Sequence, residues 1–312
     1  MNRIIEVKDL KKYYKDSKAV DGFDFEVYEG EILGLLGPNG AGKSTTINIL
    51  STILKEDSGD IKFFNKPVEG NRKWIRGQIG MVPQDLAIFE DISAYRNVEF
   101  FTSLYGLKGR ELKEKVKEAL EFVSLLEHEN KKPKTFSGGM KRRLNIACAI
   151  AHKPKILIMD EPTVGIDPQS RNHILESIKK LRDKGTTIIY TTHYMEEVEE
   201  ISDRIIIMDK GKKIAEGTKE QLKESLKEQR VYKLYVDRIL EDDLDCFYSI
   251  EGVKKVYSNK DLIEITSIKT IENLDKIILK ATDMGLKIKH MKSEEGNLEM
   301  VFLKLTGRNL RD

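Results

Sequence analysis

The sequence predicts an α/β fold with a largely parallel sheet at its centre, an all-helical insertion within it, and a smaller α+β unit behind it. Three observations predict this. An apolar run, Ile32-Leu-Gly-Leu-Leu36, leads into the glycine-rich turn Gly37-Pro38-Asn39-Gly40-Ala41-Gly42-Lys43-Ser44-Thr45 and then into Thr46-Ile-Asn-Ile-Leu50, which together read as strand, turn and helix. Strand-like and helix-like segments then alternate up to about residue 208, as a parallel α/β core requires. Finally, a βαββαβ order begins afresh at Val231, which resembles a ferredoxin-like unit with one extra helix.

Residues 4–8 and 23–28 alternate apolar and polar positions, a strand signal, and lead into the Ile32–Leu36 strand. In the turn that follows, Gly37, Gly40 and Gly42 let consecutive backbone N–H groups point inward at an anion. The next helix adds its positive end. This is the pattern of a phosphate-binding loop, in which Lys43 bridges the β- and γ-phosphates of a nucleotide and the Ser44 hydroxyl sits on Mg2+.

Further strands are expected at Ile61–Phe64 and Ile79–Val82. From about Asp91 to Ala151 the pattern turns helical, with Leu112, Val116, Ala119, Leu120 and Val123 on one apolar face. Strands return at Ile156–Met159, Thr187–Tyr190 and Arg204–Met208, with helices around 168–183 and 194–201. A polar helix-like segment, Lys219–Arg230, marks a boundary between a domain of residues 1–226 and one of residues 231–312. In the second, helices are expected at about 241–249 and 270–284 and from Asn297 to Leu305, and strands at 231–236, 253–258, 261–266 and 286–291.

Composition bounds the function classes. With 312 residues the chain is long enough for two domains and a large core. Lys plus Arg total 54 against 52 for Asp plus Glu, a net charge of +2, so no nucleic-acid partner is expected. The local cluster Lys131, Lys132 and Lys134 lacks interleaved aromatics and reads as a solvated loop. No apolar run approaches the ~18–20 residues that span a bilayer, and Met1–Val7 lacks a signal peptide's apolar centre. A soluble, cytoplasmic protein is expected. Cys148 and Cys246 lack metal-ligand spacing and read as reduced, packed thiols, and the five histidines are scattered singly.

Two further stretches carry chemistry. Ile156-Leu-Ile-Met159 ends in Asp160-Glu161, and neighbouring strand residues point oppositely. Asp160 is thereby expected to hold Mg2+, directly or through water, while Glu161 orients the attacking water and accepts its proton. Ser137-Gly138-Gly139 opens a helical run through Ala151 and forms a second anion nest. Two nests in one chain point to a nucleotide bound between two copies.

Here the chain resembles the ATPase subunit of an ATP-binding cassette (ABC) transporter, over residues 1–225. Val82-Pro83-Gln84 resembles that family's glutamine loop, Ser137-Gly138-Gly139-Met140 its signature, and Asp160-Glu161 its second Walker motif. Gly165-Ile166-Asp167 resembles the D-loop and Thr192-His193 the switch histidine. Met140 and Phe136 depart from the usual glutamine and leucine, and neither departure removes an anion contact. Methionine at this position is familiar among exporters of drugs, antibiotics or ions, and Leu298–Gly307 is similar to the C-terminal signature of that subgroup, with Met300 where an acid is usual.

The resemblance implies a P-loop ATPase domain with an antiparallel β subdomain, ATP and Mg2+ as ligands, and a separate integral membrane permease as partner. It implies an ATP-clamped dimer, a homodimer in the simplest case, attached to the inner face of the membrane through that permease. Tyr14 is then the ring that stacks on adenine, or else an ordinary strand aromatic. Gln84 contacts Mg2+ and the water, and His193 holds the γ-phosphate and Glu161 in register. Asp167 lies at the nucleotide, and Glu196, Glu197, Glu199 and Glu200 read as a solvated helix face. Leu86, Ile88 and Phe89 either receive a helix of the permease or anchor the helical insertion. Residues 231–312 carry no catalytic cluster and are expected to support dimerisation or regulate the ATPase. Two other classes remain open at this point: a ribosome- or DNA-acting ATPase, and a nucleotide-dependent regulator that senses a small ligand.

Overall fold

The computed structural model describes residues 2–15, 17–224, 229–237, 244–259, 261–295 and 298–306. They divide into two compact units, one ending at Thr218 and the other beginning at Lys219.

In chain order the first unit contains β1 (Arg3–Tyr14), β2 (Ser17–Tyr28), β3 (Ile32–Leu36), α1 (Lys43–Leu50), β4 (Ser58–Phe63), β5 (Lys66–Pro67), α2 (Arg72–Gln78) and β6 (Ile79–Val82). The helical insertion supplies α3 (Ala94–Ser103), α4 (Gly109–Phe122) and α5 (Gly138–Ile150). Then follow β7 (Ile156–Asp160), α6 (Pro168–Asp183), β8 (Thr187–Thr192), α7 (Met195–Ile201), β9 (Arg204–Asp209) and β10 (Lys212–Gly217).

Six strands form the central sheet in the order β10-β9-β3-β8-β7-β6. Every pairing from β9 to β6 is parallel, and only the edge strand β10 runs antiparallel. All residues of β3, β7 and β8 are buried, which is why β3 and the first four residues of β7 read as unbroken apolar runs, while β8 mixes Ile188, Ile189 and Tyr190 with threonines. Their side chains alternate between two cores. Ile32, Leu157, Met159, Ile188 and Tyr190 pack with the insertion and α6. Leu33, Leu35, Ile156, Ile158 and Ile189 pack on the other face with α1 and the antiparallel sheet β2-β1-β4-β5.

The insertion is held by the face the sequence indicates: Val116, Ala119, Leu120 and Val123 are buried, and Leu112 packs against them. Phe136, in place of the usual leucine, is buried in the same core. The strand β10 was not expected. Half of its residues are exposed and it lies at a sheet edge, where two lysines and a glutamate mask the strand pattern.

The second unit contains α8 (Lys219–Glu224), β11 (Gln229–Val236), a 3-10 helix (Leu244–Ser249), β12 (Val253–Asn259), β13 (Leu262–Ile268), α9 (Leu274–Asp283), β14 (Ile288–Glu295) and α10 (Leu298–Thr306). Its sheet has the order β12-β13-β11-β14, antiparallel throughout. Two expectations are corrected here. The polar segment expected to be helical through Arg230 is helix over Lys219–Glu224, while Gln229 and Arg230 belong to β11; residues 225–228 lie outside the described residues. The helix expected at 241–249 is the 3-10 helix Leu244–Ser249, with 241–243 outside the described residues. Within it Phe247 is fully buried, and Leu244 and Cys246 pack against the same core. The C-terminal Leu298–Gly307 stretch forms α10, with Leu298, Val301 and Phe302 buried; Gly307 lies outside the described residues.

Candidate active site

Parallel strands all end at one edge of their sheet, and the chemistry-bearing residues follow those ends. The register pairs Leu36 with Thr192, Asp160 with Thr191 and Val82 with Met159. The turn after β3, the acids at the end of β7, the histidine after β8 and the loop after β6 therefore open on the same side.

The turn Gly37–Gly42 closes with Gly42 at a φ of 106°, a conformation that an L side chain resists. A Cβ at Gly42 would also lie 2.2 Å from the Ala19 carbonyl oxygen. The turn folds its own lysine inward: Lys43 Nζ donates to the carbonyl oxygens of Gly37 (2.8 Å) and Pro38 (3.1 Å) and lies 3.0 Å from Glu161 Oε1. Ser44 and Thr45 are half-buried beside it, while Asn39 and Gly40 are exposed at the rim.

Glu161 is buried, and its second oxygen, Oε2, lies 3.0 Å from His193 Nδ1. A carboxylate only accepts, so this contact puts the imidazole proton on Nδ1. One carboxylate thus bridges the P-loop lysine and the histidine. Its direction is not set by strand alternation, as the sequence led us to expect. β7 stops at Asp160, and Glu161 turns out of the strand with a φ of 44°. That left-handed conformation costs about 1–2 kcal/mol for an L residue. It is held by Glu161 N, which donates to Thr191 Oγ1 at 3.0 Å. The same Thr191 hydroxyl donates to Asp160 Oδ1 at 2.6 Å, so one side chain orients both acids.

The remaining expected residues form a second cluster and a rim. Ser137 caps α5, its hydroxyl accepting from Met140 N at 3.2 Å, and Ser137 and Gly138 are exposed. Gly139 is buried because Ser170 presses on it: a Cβ there would lie 2.1 Å from Ser170 Oγ. Asp167 caps α6 by accepting from Ser170 N at 2.9 Å, which joins it to the signature turn and holds its carboxyl below the usual aspartate range. Tyr14 ends β1 and is 47% exposed, and Gln84 is exposed in the loop after β6.

Sequence reasoning missed three residues. Arg142 looked like one charge in a basic helix, yet it is buried and donates to the carbonyl oxygens of Pro83 (2.8 Å) and Gln84 (2.6 Å). It ties the signature helix to the loop of Gln84. Thr191 looked like one of many strand threonines. Glu197, read as solvated, is 1% exposed. Its partners are the hydroxyls of Thr163, Tyr190 and Thr192.

Comparison with known proteins identifies the family. A family model described as "ABC transporter" matches residues 20–164. Over 311 residues the chain is 43% identical to the linearmycin resistance ATP-binding protein LnrL of Bacillus subtilis (strain 168), covering 99% of this chain and 100% of that protein. The chain belongs to the ABC transporter family.

Other relatives are similar over all or nearly all of their length. A Nod factor export ATP-binding protein I of Cupriavidus metallidurans is 36% identical, covering 100% of both chains. The daunorubicin/doxorubicin resistance ATP-binding protein DrrA of Streptomyces peucetius is 33% identical, covering 99% of this chain and 94% of that one. Among solved structures, the dimeric post-hydrolysis state of the ATP-binding cassette MJ0796 bound to ADP and Pi matches with a TM-score of 0.64 and 28% identity, over 69% of this chain and 98% of that one. The chain is the ATP-binding and hydrolysing subunit of an ABC transporter. Among the described residues no helix is long and apolar enough to cross a membrane.

Proposed function

We propose that residues 1–226 hydrolyse Mg2+-ATP at the edge formed by Lys43, Asp160, Glu161 and His193, and that a dimer of this chain powers outward transport through a separate permease. The observation that carries this reading is the Glu161 carboxylate, buried and within 3.0 Å of both Lys43 and His193.

In this mechanism the backbone N–H groups of Gly37–Thr45 and the Lys43 ammonium bind the phosphates, and Tyr14 stacks on the adenine. Glu161 accepts the proton of the attacking water, and His193, hydrogen-bonded to that carboxylate, keeps it aimed. Preorganised donors of this kind each contribute several kcal/mol in a dry site. The exposed Ser137 and Gly138, with Gly139 and Asp167 behind them, face the phosphates bound by the opposite copy.

The donors available for a metal are the Ser44 hydroxyl, the Gln84 amide and an Asp160 carboxylate already steered by Thr191. All are hard oxygens. Among the described residues no group of three or more His, Cys, Asp or Glu could hold an ion by itself. Such a set fits Mg2+, which keeps waters and substrate phosphate oxygens in its shell. Bound there, it neutralises charge on the transferring phosphoryl group. ATPase activity is expected to vanish on chelation with EDTA and to return with added Mg2+; turnover that persists in EDTA would contradict this assignment.

Work on a membrane requires a docking surface, and the apolar loop after Gln84 supplies one. Leu86, Phe89 and Phe100 are exposed, while Ile88 packs into the core. Phe89 stacks on Phe101 and meets Phe100 edge-on, and its backbone N–H and carbonyl are held by buried Asn97. The loop is thus anchored to the insertion and still presents an aromatic surface suited to a cytoplasmic helix of the permease. With Arg142 behind it, that surface is wired to the signature helix. Phe89→Asp is expected to abolish transport by the assembled complex and to spare ATPase activity of the isolated chain. Loss of both together would argue against this docking site.

Outward transport follows the relatives, which are named for drug resistance and Nod factor export. We place the subunit at the inner membrane face and assign residues 231–312 an accessory role in dimerisation or regulation.

A further inference from the structure

Glu197 is 1% exposed, and three hydroxyls meet its carboxylate. Thr163 Oγ1 donates to Oε1 at 2.7 Å, while Tyr190 OH and Thr192 Oγ1 both donate to Oε2 at 2.8 Å. The three donors are themselves buried. Burial, and next the Glu197 charge, push the Tyr190 phenol well above its ordinary range, so it remains a donor. Taking a carboxylate out of water costs several kcal/mol, and an apolar side chain of similar size would fill the same space without that cost. What the carboxylate adds is a joint between segments.

The segments it joins are those of the active site. Thr163 lies two residues beyond Glu161, in the loop that leads to Asp167. Tyr190 is in β8, on the strand that carries Thr191. Thr192 immediately precedes His193, and its hydroxyl also accepts from Tyr194 N at 2.9 Å, so the backbone on both sides of His193 is tied to Glu197. Thr163 Oγ1 and Tyr190 OH stand 3.3 Å apart, each turning its proton to Glu197. We propose that Glu197 is a positioning residue: it fixes the spacing between the Glu161 turn and the His193 loop, and so controls the rate of hydrolysis rather than the affinity for ATP. This inference rests on the roles proposed above for Glu161 and His193.

The experiment compares steady-state ATP hydrolysis and histidine NMR spectra of the full-length wild type, Glu197→Ala, Glu197→Gln and Glu161→Gln. Misplacing a reacting group by about 1 Å costs on the order of 100-fold, so Glu197→Ala is expected to lower kcat by about 10- to 100-fold. KM for ATP is expected to stay within about threefold, as for an interaction that counts in the transition state. The imidazole signals of His193, one of only five histidines, are expected to shift. Glu197→Gln is expected to recover much of the lost kcat: its oxygen accepts from Tyr190 and Thr192, and its amide donates to Thr163.

Wild-type kcat in Glu197→Ala beside an inactive Glu161→Gln would overturn this inference alone, as would unchanged His193 signals. Wild-type turnover in Glu161→Gln would instead remove the reading on which it rests. Should Glu197→Ala fail to fold, Thr192→Val removes one donor, leaves Glu197 two, and carries the same expectation. A wild-type kcat in that variant would overturn the proposal.

Discussion

Glu161→Gln is expected to lower ATP turnover of the purified chain by about 100- to 10,000-fold, the share that a positioned general base contributes, while ATP still binds. The substitution keeps the size of a side chain that is packed and buried. Its one remaining carbonyl oxygen can still face Lys43, and its amide can face a His193 whose ring proton has moved to the other nitrogen. The turn at a φ of 44° survives, because it is held from the backbone N–H by Thr191 and not by the carboxylate. What disappears is the proton acceptor. Phosphate release measured beside equilibrium ATP binding checks this, and unimpaired turnover would take Glu161 out of the catalytic role.

Lys43→Met is expected to act on the other quantity, weakening ATP binding by on the order of 100-fold. A charge-assisted hydrogen bond contributes about 1.5–3 kcal/mol, and about 1.4 kcal/mol corresponds to tenfold in affinity. Methionine retains most of the stem but donates nothing to phosphate or to the carbonyls of Gly37 and Pro38 that Lys43 now satisfies. It also leaves the buried Glu161 without its cation, and breaking a buried pair from one side costs about 3–5 kcal/mol. A lower melting temperature is therefore expected as well. The double variant Lys43→Met/Glu161→Gln separates the two effects: stability is expected to return and ATP affinity is not. Calorimetric titration and thermal melts read both quantities, and wild-type affinity in Lys43→Met would contradict the site.

Much of this site was legible from residue order, since glycines, lysine, paired acids and a histidine after a strand each have a local sequence context. The parallel sheet was legible too, since β3, β7 and β8 are buried on both faces and carry the apolar stretches Ile32–Leu36, Ile156–Met159 and Ile188–Tyr190. The exposed edge strand β10, with its lysines, gave no such pattern. What escaped was burial of charge. Glu197 and Arg142 sit among other charged residues and look solvated until the fold brings Thr163, Tyr190 and Thr192 to one and the carbonyls of Pro83 and Gln84 to the other. The direction of Glu161 escaped for a related reason: a single left-handed residue decides it, and glutamate gives no warning of that conformation.

The central claim is that ATP is clamped between the P-loop of one copy and the Ser137–Gly139 turn of another. Sedimentation velocity of Glu161→Gln and of Glu161→Gln/Gly138→Asp, each with Mg2+-ATP, tests it most directly. The site at Gly138 accommodates the added side chain, since the nearest atom to a Cβ there, on Ile166, is 3.9 Å away, and an acid suits the first turn of a helix. The account predicts that the single variant sediments as a dimer and that the double variant, its carboxylate facing the phosphates, stays monomeric while still binding ATP. A single variant that remains monomeric at saturating ATP, or a double variant that dimerises equally well, would contradict it.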